Sequence, residues 1–324
     1  MAGAAFVNDD ELLVYPVCHV NVALSLRDRF QQTDPYHLKA VIVEISTSVI
    51  KRRFDLPTHG HGSGILVTLE GNLLIHRDNT LDLLDPEGKP LAGLQINRTG
   101  LYDMIFVKPS PTTHIVSLID FPDAFEAKPN GVAVLDSRNL HALHQWHDDA
   151  DMWNIASSET TTVRTASRGL LLVMRNFNDS KWDTVLTEPE PALLCPIFLA
   201  DSEFAVPLTA HNAVLIFKTS GEMAASLKVQ SPMTLDVSRG GHVLSAVWGS
   251  IQGFNQTNGH PQFGEAGVNL YDIPSLREIE SIQLHPTPAF GAVALSPDCT
   301  RLAILDELNV SILEVPPEPP KPNP

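Results

Sequence analysis

Residues that could bind a metal ion are concentrated in three short segments of the chain. These segments are His59-Gly60-His61, the acidic run Asp148–Asp151, and the single histidine His285. Imidazole nitrogens and carboxylate oxygens are common ligands of divalent cations. The sequence therefore offers one set of candidate metal ligands, which comprises His59, His61, Asp149, Asp151 and His285.

Other arrangements of reactive residue types give weaker indications of chemistry. His141, His144 and His147 resemble a run of metal ligands, but in a strand only His141 and His147 share a face, which favours surface histidines. The chain has no Gly-x-Ser-x-Gly, no glycine-rich phosphate loop and no His-Glu-x-x-His. Polar residues also occur at or near the expected innermost strands, where they could line a hydrolase or lactonase site or simply hydrate a channel: Asp103, Asp151, Asn154 and Asp236.

Aromatic residues in long connections form a second group of candidates. The connections are Leu26–His37, Phe121–Asn130 and Ser250–Ala266. Exposed loops often carry binding residues, so we expect a partner-binding surface there. Its members are Phe30, Tyr36, Phe121, Phe125, Phe254 and Phe263. The alternative is that these rings fold back and cap the ends of the strands.

The elements that position these residues are predicted by a repeat, which is clearest at Phe290–Pro316. Three short apolar runs separated by Asp, Asn and Pro turns indicate three strands in that segment. Counterparts of its third strand recur at about 45-residue spacing, which is typical of a β-propeller with four strands per blade. They are Lys39–Ser46, Thr80–Asp85, Gly131–Asp136, Trp182–Thr187, Asn212–Thr219 and Gly267–Ile273. Fourth strands are predicted at Val49–Leu56, Pro90–Ile96, Leu140–Trp146, Glu222–Val229 and Leu276–Leu284.

The repeat predicts an all-β fold, a single propeller domain over residues 1–316, with seven blades favoured and six or eight also compatible. The last unit lacks a fourth strand because the proline-rich segment 317–324, predicted to be a disordered tail, follows it. The N-terminal Ala4–Val7 could supply that strand and close the ring. The alternative is an open, three-stranded last blade.

The last two units carry a resemblance to a known family. Ser296-Pro297-Asp298-Cys299-Thr300-Arg301 and the segment Asn269–Ser275 resemble the repeats of bacterial WD40-like and YVTN-type β-propellers. Cys299 occupies the usual glycine position of that hairpin, so a different turn type is expected. Trp182-Asp183 is the lone Trp-Asp pair, and the hydrogen-bonded tetrad of eukaryotic WD40 repeats is not implied.

Composition narrows the classes of partner. The formal charge of −16 disfavours nucleic acid, because binding it requires Lys and Arg to neutralise phosphates, and Lys51-Arg52-Arg53 is the one dense basic cluster.

No apolar run approaches the roughly 20 residues of a membrane-spanning helix, and no secretory leader is visible. The three cysteines form no Cys-x-x-Cys motif. We expect a cytoplasmic protein if the chain is complete, and a periplasmic or secreted one if a leader was removed.

These observations predict a monomeric, non-catalytic propeller that presents its loop-rich face to a protein or peptide and needs no cofactor. One alternative is a propeller hydrolase or lactonase with a divalent cation at the central channel. A further alternative, implied by the resemblance, is an extracytoplasmic sensor or accessory subunit.

Overall fold

The chain folds into a seven-bladed β-propeller, as the repeat predicts. The computed structural model describes residues 2–16, 36–58, 64–77, 80–96, 104–121, 131–146, 152–166, 170–174, 177, 181–188, 195–254, 261–284, 293–305 and 310–316. One turn of 3-10 helix, Thr209–His211, interrupts the strands of this described part. No helix within it is long and apolar enough to cross a membrane.

The first four blades are antiparallel sheets of four strands in sequential order. Blade 1 contains β1 (Ala2–Phe6), β2 (Glu11–Pro16), β3 (Tyr36–Glu44) and β4 (Val49–Thr58). Blade 2 contains β5 (Gly64–Val67), β6 (Leu73–Arg77), β7 (Thr80–Leu84) and β8 (Pro90–Gln95). Blade 3 contains β9 (Met104–Pro109), β10 (Ile115–Phe121), β11 (Gly131–Asp136) and β12 (Ala142–Trp146). Blade 4 contains β13 (Met152–Ser157), β14 (Thr162–Ala166), β15 (Leu170–Met174) and β16 (Asp183–Thr187).

The last three blades continue the pattern until the final sheet. Blade 5 contains β17 (Ile197–Ala200), β18 (Glu203–Leu208), β19 (Ala213–Lys218) and β20 (Met223–Lys228). Blade 6 contains β21 (Pro232–Val237), β22 (Val243–Phe254), β23 (Pro261–Asp272) and β24 (Arg277–Leu284). Blade 7 has three strands in the described part of the chain: β25 (Val293–Leu295), β26 (Arg301–Leu305) and β27 (Val310–Glu314).

The ring closes by packing of blade 7 against blade 1. Of the two predicted alternatives, closure by Ala4–Val7 is wrong, and the described residues show the open, three-stranded last blade. β1 pairs with β2, from Ala2 opposite Pro16 to Phe6 opposite Leu12, so it is the innermost strand of blade 1. β1 also packs against β25 and β26 of blade 7. The alternating pattern of this strand fits either role, and only the spatial order of the blades distinguishes them. The proposed tail, residues 317–324, lies outside the described residues.

One predicted third strand is also wrong, because Asp183–Thr187 is the fourth strand of blade 4 and β15 is the third. β15 is almost fully buried between two neighbouring blades, whereas β16 is only partly buried at the outer edge. A short, wholly apolar strand such as Leu170–Met174 lacks the alternation that the search for counterparts followed. The other third strands and the five predicted fourth strands are confirmed.

Buried apolar side chains form one cluster at each of the seven contacts, or seams, between neighbouring blades. Stacking of this kind is necessary because a single sheet cannot cover both of its apolar faces. The seam between blades 4 and 5 is centred on a row of rings, with Phe204 stacked on Phe217 at 5.6 Å and tilted against Phe198.

The seam between blades 3 and 4 differs, because its buried aliphatic cluster consists only of Ile119, Val132 and Ile155 among the described residues. Hydroxyl groups fill part of the remaining space: Ser117 Oγ donates to Ser157 Oγ at 2.8 Å. Arg164, 3% exposed, places its guanidinium carbon 4.1 Å from the centre of the Trp182 ring. This seam therefore relies mainly on polar and aromatic contacts, whereas each of the other six clusters contains more buried aliphatic side chains.

Tight turns between first and second strands, and those between third and fourth strands, lie on one face of the ring, which we call the turn face. In three blades the same position of this turn has a positive φ, at Gly71, Gly241 and Cys299. Each of the three donates its backbone N–H to a Thr or Ser three residues earlier, at 2.9 to 3.0 Å. Cys299 therefore adopts the glycine conformation, and the predicted change of turn type is wrong. The opposite face, which carries the second-to-third and blade-to-blade connections, is called the loop face.

Gly71 provides a test of the contact between the turns of blades 1 and 2. A Cβ on Gly71 would lie 2.6 Å from the carbonyl oxygen of Val7, whereas one on Gly88, at nearly the same φ, would meet only the Arg52 side chain at 3.4 Å. Both alanine variants suffer the cost of a positive φ, about 1 kcal/mol. We expect Gly71→Ala to lower the free energy of unfolding in urea by a further 1–3 kcal/mol or so. Equal losses in the two variants would contradict this close packing.

Candidate functional site

Polar side chains from several blades converge on the central channel that the innermost strands surround. Lys108 comes from β9, Asn154 from β13 and Asp236 from β21, while Cys195 precedes β17 and Arg239 follows β21. All five are partly exposed, although the ring surrounds them. Converging polar groups in a concave site are the usual signature of ligand binding. Asn154 and Asp236 were predicted from the sequence as channel residues, and the structure places both on innermost strands.

Arg239 helps to close the channel at the turn face. Its guanidinium donates to the carbonyl oxygens of Phe6 and Val7 in blade 1, the latter at 2.8 Å. Burial lowers the pKa of Arg239 to about 10, while the charges of Asp9, Asp236 and Glu70 act in the opposite direction. The side chain therefore ties blade 6 to blade 1 across blade 7.

Two further bonds cross the channel from blade 3 to blade 5. Lys108 Nζ donates to the carbonyl oxygen of Pro196 at 2.5 Å, and Thr112 Oγ1 donates to that of Phe198 at 3.3 Å. Beneath them lies a cavity of about 10 Å³, bounded also by Ala156 and Ser157. A volume of this size holds one water molecule at most. The space beneath these two bonds is therefore too small for a ligand larger than water.

Asp236 is held by backbone donors at the seam between blades 6 and 7. Its carboxylate accepts the N–H of Val237 at 2.9 Å and that of Leu295. Burial nevertheless raises the pKa of Asp236 to about 6, and the nearby charges of Arg239 and Lys108 only partly oppose this increase. Burial and the charge of Asp236 raise the pKa of Tyr15, in blade 1, to about 12.

Asn154 and Cys195 extend the polar lining between blades 4 and 5. The thiol of Cys195 donates to Asn154 Oδ1. The amide nitrogen of Asn154 has no hydrogen-bond partner within the described part of the chain, so two N–H donors remain available. Lys108 bonds to Pro196, the residue that follows Cys195, and this places the lysine and the amide at one side of the channel.

The described part of the structure does not test the predicted metal site. No group of three His, Cys, Asp or Glu side chains with metal-binding geometry occurs among those residues. All five predicted ligands lie outside the described ranges: His59, His61, Asp149, Asp151 and His285. Asp103 is also outside them. The metal site thus stays a prediction.

A long β-hairpin of blade 6 projects from the loop face, where the sequence predicted an irregular connection over Ser250–Ala266. β22 and β23 remain paired as far as Phe254 opposite Pro261. Their neighbours end earlier, because β21 pairs only up to Trp248 and β24 only up to Ala266. Residues 250–254 and 261–265 therefore form a two-stranded ribbon, the blade-6 ribbon, which extends about 16 Å at 3.3 Å per residue.

Blade 1 has a similar extension on the other side of blade 7. Tyr36 pairs with Thr58 and Ala40 with Phe54, whereas the pairing of β2 with β3 ends at Val41. We call residues 36–40 with 54–58 the blade-1 ribbon. Its buried Leu38 packs on the seam between blades 1 and 2, which holds this ribbon in place.

The predicted partner-binding aromatics are distributed between these ribbons and undescribed connections. Tyr36 begins the blade-1 ribbon, Phe254 and Phe263 belong to the blade-6 ribbon, and Phe121 ends β10; for these four the backbone is described. Phe30 and Phe125 lie outside the described residues. Their role in binding stays a prediction.

Sequence reasoning missed Lys108 and Arg239 as channel residues. A signal existed for Lys108, since a single lysine within the apolar strand Met104–Pro109 requires a polar environment inside the fold. Arg239 lies in a Ser-Arg-Gly-Gly turn that looks like an ordinary surface turn. Its role depends on the position of blade 1, which the local sequence does not contain.

No family model and no curated protein matches the chain. Among solved structures, the chain is similar to Hsv2 of Kluyveromyces lactis, with a TM-score of 0.54 and 11% identity over 94% of this chain and 88% of that one. A structure of Hsv2 with a complete loop 6CD matches with a TM-score of 0.53 and 11% identity, over 78% of this chain and 73% of that one. A third Hsv2 structure matches with a TM-score of 0.52 and 10% identity, over 94% of this chain and 89% of that one. This likeness shows a shared fold. Membership of the bacterial WD40-like and YVTN-type family stays a prediction.

The pKa of Asp236 provides a test of its buried position. Because the folded state raises this pKa from 3.8 to about 6, the folded protein binds the proton more tightly, and the resulting stabilisation is lost as pH rises from about 4 to 6. Asp236→Asn removes this loss. Between pH 4 and pH 7 its free energy of unfolding should therefore rise by about 1–3 kcal/mol relative to that of the wild type. Urea unfolding at both pH values measures the change.

Asp136→Asn is the matched control for this experiment. Hydrogen bonds from Arg138 lower the pKa of Asp136, so that side chain stabilises the fold above its unfolded pKa and loses this effect on acidification. The Asp136 variant should therefore lose stability relative to wild type as pH rises. The same trend in both variants would contradict the assignment of Asp236 to a desolvated site.

Proposed function

We propose that this propeller is a non-catalytic binding module for a protein or peptide, and that the partner binds on the loop face beside the blade-6 ribbon. The observation that carries the proposal is the ribbon itself. Its two strands leave the sheet of blade 6, and beyond Trp248 and Ala266 no further strand of the described chain pairs with either edge. Within the described chain, each edge thus offers unpaired backbone donors and acceptors.

An extended segment is the occupant that such an edge favours. Added strands are held by main-chain hydrogen bonds, and alternate side chains of the added strand contact the surface on each side. The segment 250–254 contains Gly253, and 261–265 contains Gly264. Glycines leave the backbone accessible to a neighbouring strand. The blade-1 ribbon, on the other side of blade 7, supplies a second wall for the same partner.

Charge indicates which extended segments are favoured. The chain carries 38 acidic against 22 basic residues, so its field attracts basic partners and accelerates their association. We therefore expect an extended peptide with apolar residues at alternate positions and a net positive charge.

The test is selection from a random 12-residue peptide library displayed on phage. The purified full chain is compared with a variant in which Gly-Asn replaces residues 250–265, joining Gly249 to its cross-strand neighbour Ala266. Selected basic peptides should bind the full chain with micromolar Kd values and lose at least tenfold in affinity on the shortened variant. Fluorescence anisotropy measures both.

The control is a variant with the turn-face residue Lys89 changed to Ala, which alters a hairpin on the opposite face. It should bind the selected peptides as the wild type does. The proposal fails if selected peptides bind the shortened variant equally well while its thermal unfolding shows a folded ring.

A further inference from the structure

The channel contains a largely desolvated cation, Lys108, that lacks an ion-pair partner within the described part of the chain. Lys108 makes one hydrogen bond, to the carbonyl oxygen of Pro196, and forms no salt bridge with Asp236 or any other described acid. An ammonium group has three donors, so two remain. A buried charge without a partner is costly, and a bound anion would offset that cost.

Asp236, the described carboxylate whose charge acts on Lys108, already accepts hydrogen bonds from other groups. The Asp236 carboxylate is bound by two backbone N–H groups on the wall between blades 6 and 7. The charges acting on Asp236 are those of Arg239 and Lys108, and Asp236 in turn acts on Tyr15. Cys195 and Asp236 are the groups whose charge acts on Lys108, and burial lowers the pKa of this lysine. No described carboxylate neutralises Lys108 directly.

The Asn154 side chain, on the same side of the channel as Lys108, offers hydrogen-bond donors. The amide of Asn154 accepts from Cys195 through its oxygen and thus directs its free nitrogen donors away from that bond. A cation next to free N–H donors matches the negative oxygens of a carboxylate or phosphate group.

We infer that the channel binds a small oxyanion, a carboxylate or a phosphate, which enters from the loop face and is held by Lys108 Nζ and the Asn154 amide. The bonds of Arg239 and Thr112 across the turn-face end, and the one-water cavity beneath Lys108, define the bottom of this site. This site is separate from the ribbons proposed to hold a peptide, so each proposal can fail without the other.

Asp236 makes binding dependent on pH. Its negative charge in the same channel opposes an incoming anion, and with its pKa near 6 this charge is present at pH 7.5 and mostly absent at pH 5. The ratio of wild-type affinity to Asp236→Asn affinity should be at least threefold higher at pH 5 than at pH 7.5. The ligands' own protonation between these pH values cancels in that ratio.

The experiment titrates sodium malonate and sodium phosphate into the full chain, with sodium chloride at matched ionic strength, by calorimetry and thermal unfolding. We expect saturable binding of at least one oxyanion, and the tighter of the two identifies the source. Lys108→Gln should weaken it at least tenfold and Asn154→Ala at least threefold. Lys218→Gln, which removes an exposed lysine paired with Glu222, should leave it unchanged.

Three results would overturn the site. The first is a titration signal that rises linearly with malonate and with phosphate and equals the signal of the chloride control. The second is an equal affinity of the Lys108→Gln and Lys218→Gln variants for the oxyanion. If Lys108→Gln does not fold, the ratio of wild-type affinity to Asp236→Asn affinity decides. The same ratio at pH 5 and at pH 7.5 would then refute the proposal.

Discussion

The structure depends on one constraint: each blade has two apolar faces, and only a complete ring covers all of them. The last seam to close is the one between blades 7 and 1, where Phe6 and Leu12 meet Ala294 and Ala303. On the turn face, Arg301 binds Asp10 at 3.2 Å and strengthens the same seam. Within the described residues no strand is shared between these two blades, so side-chain packing rather than backbone pairing completes the ring.

The repeat was readable from the sequence because third strands are apolar and are followed by a turn and a half-exposed fourth strand. The prediction failed where that signal changes. Leu170–Met174 is uniformly apolar, so the pattern did not identify it as the third strand of blade 4. The neighbouring strand Asp183–Thr187 was assigned to that position instead. The role of Ala2–Phe6 was misassigned for another reason, since a strand's own residues do not specify which edge it joins.

The channel was predictable only in part. Asn154 and Asp236 are polar residues in strands expected to be innermost, so their position follows from the blade count. The bonds of Lys108 to blade 5 and of Arg239 to blade 1 join residues 88 and about 232 positions apart. Contacts at such separations depend on the radius of the ring and on the twist of each blade, and a local pattern records neither. The blade-6 ribbon was missed because the glycines within it are typical of loops.

The polar seam between blades 3 and 4 has a mechanical consequence. Opening the ring at this seam would expose three buried aliphatic side chains of the described chain, together with the rings of Trp146 and Trp182. The bonds of Lys108 and Thr112 run from blade 3 to blade 5, so they connect the two neighbours of blade 4 and oppose that opening. Any group that binds Lys108 at the centre of the ring therefore also acts on the cohesion of the seam between blades 3 and 4.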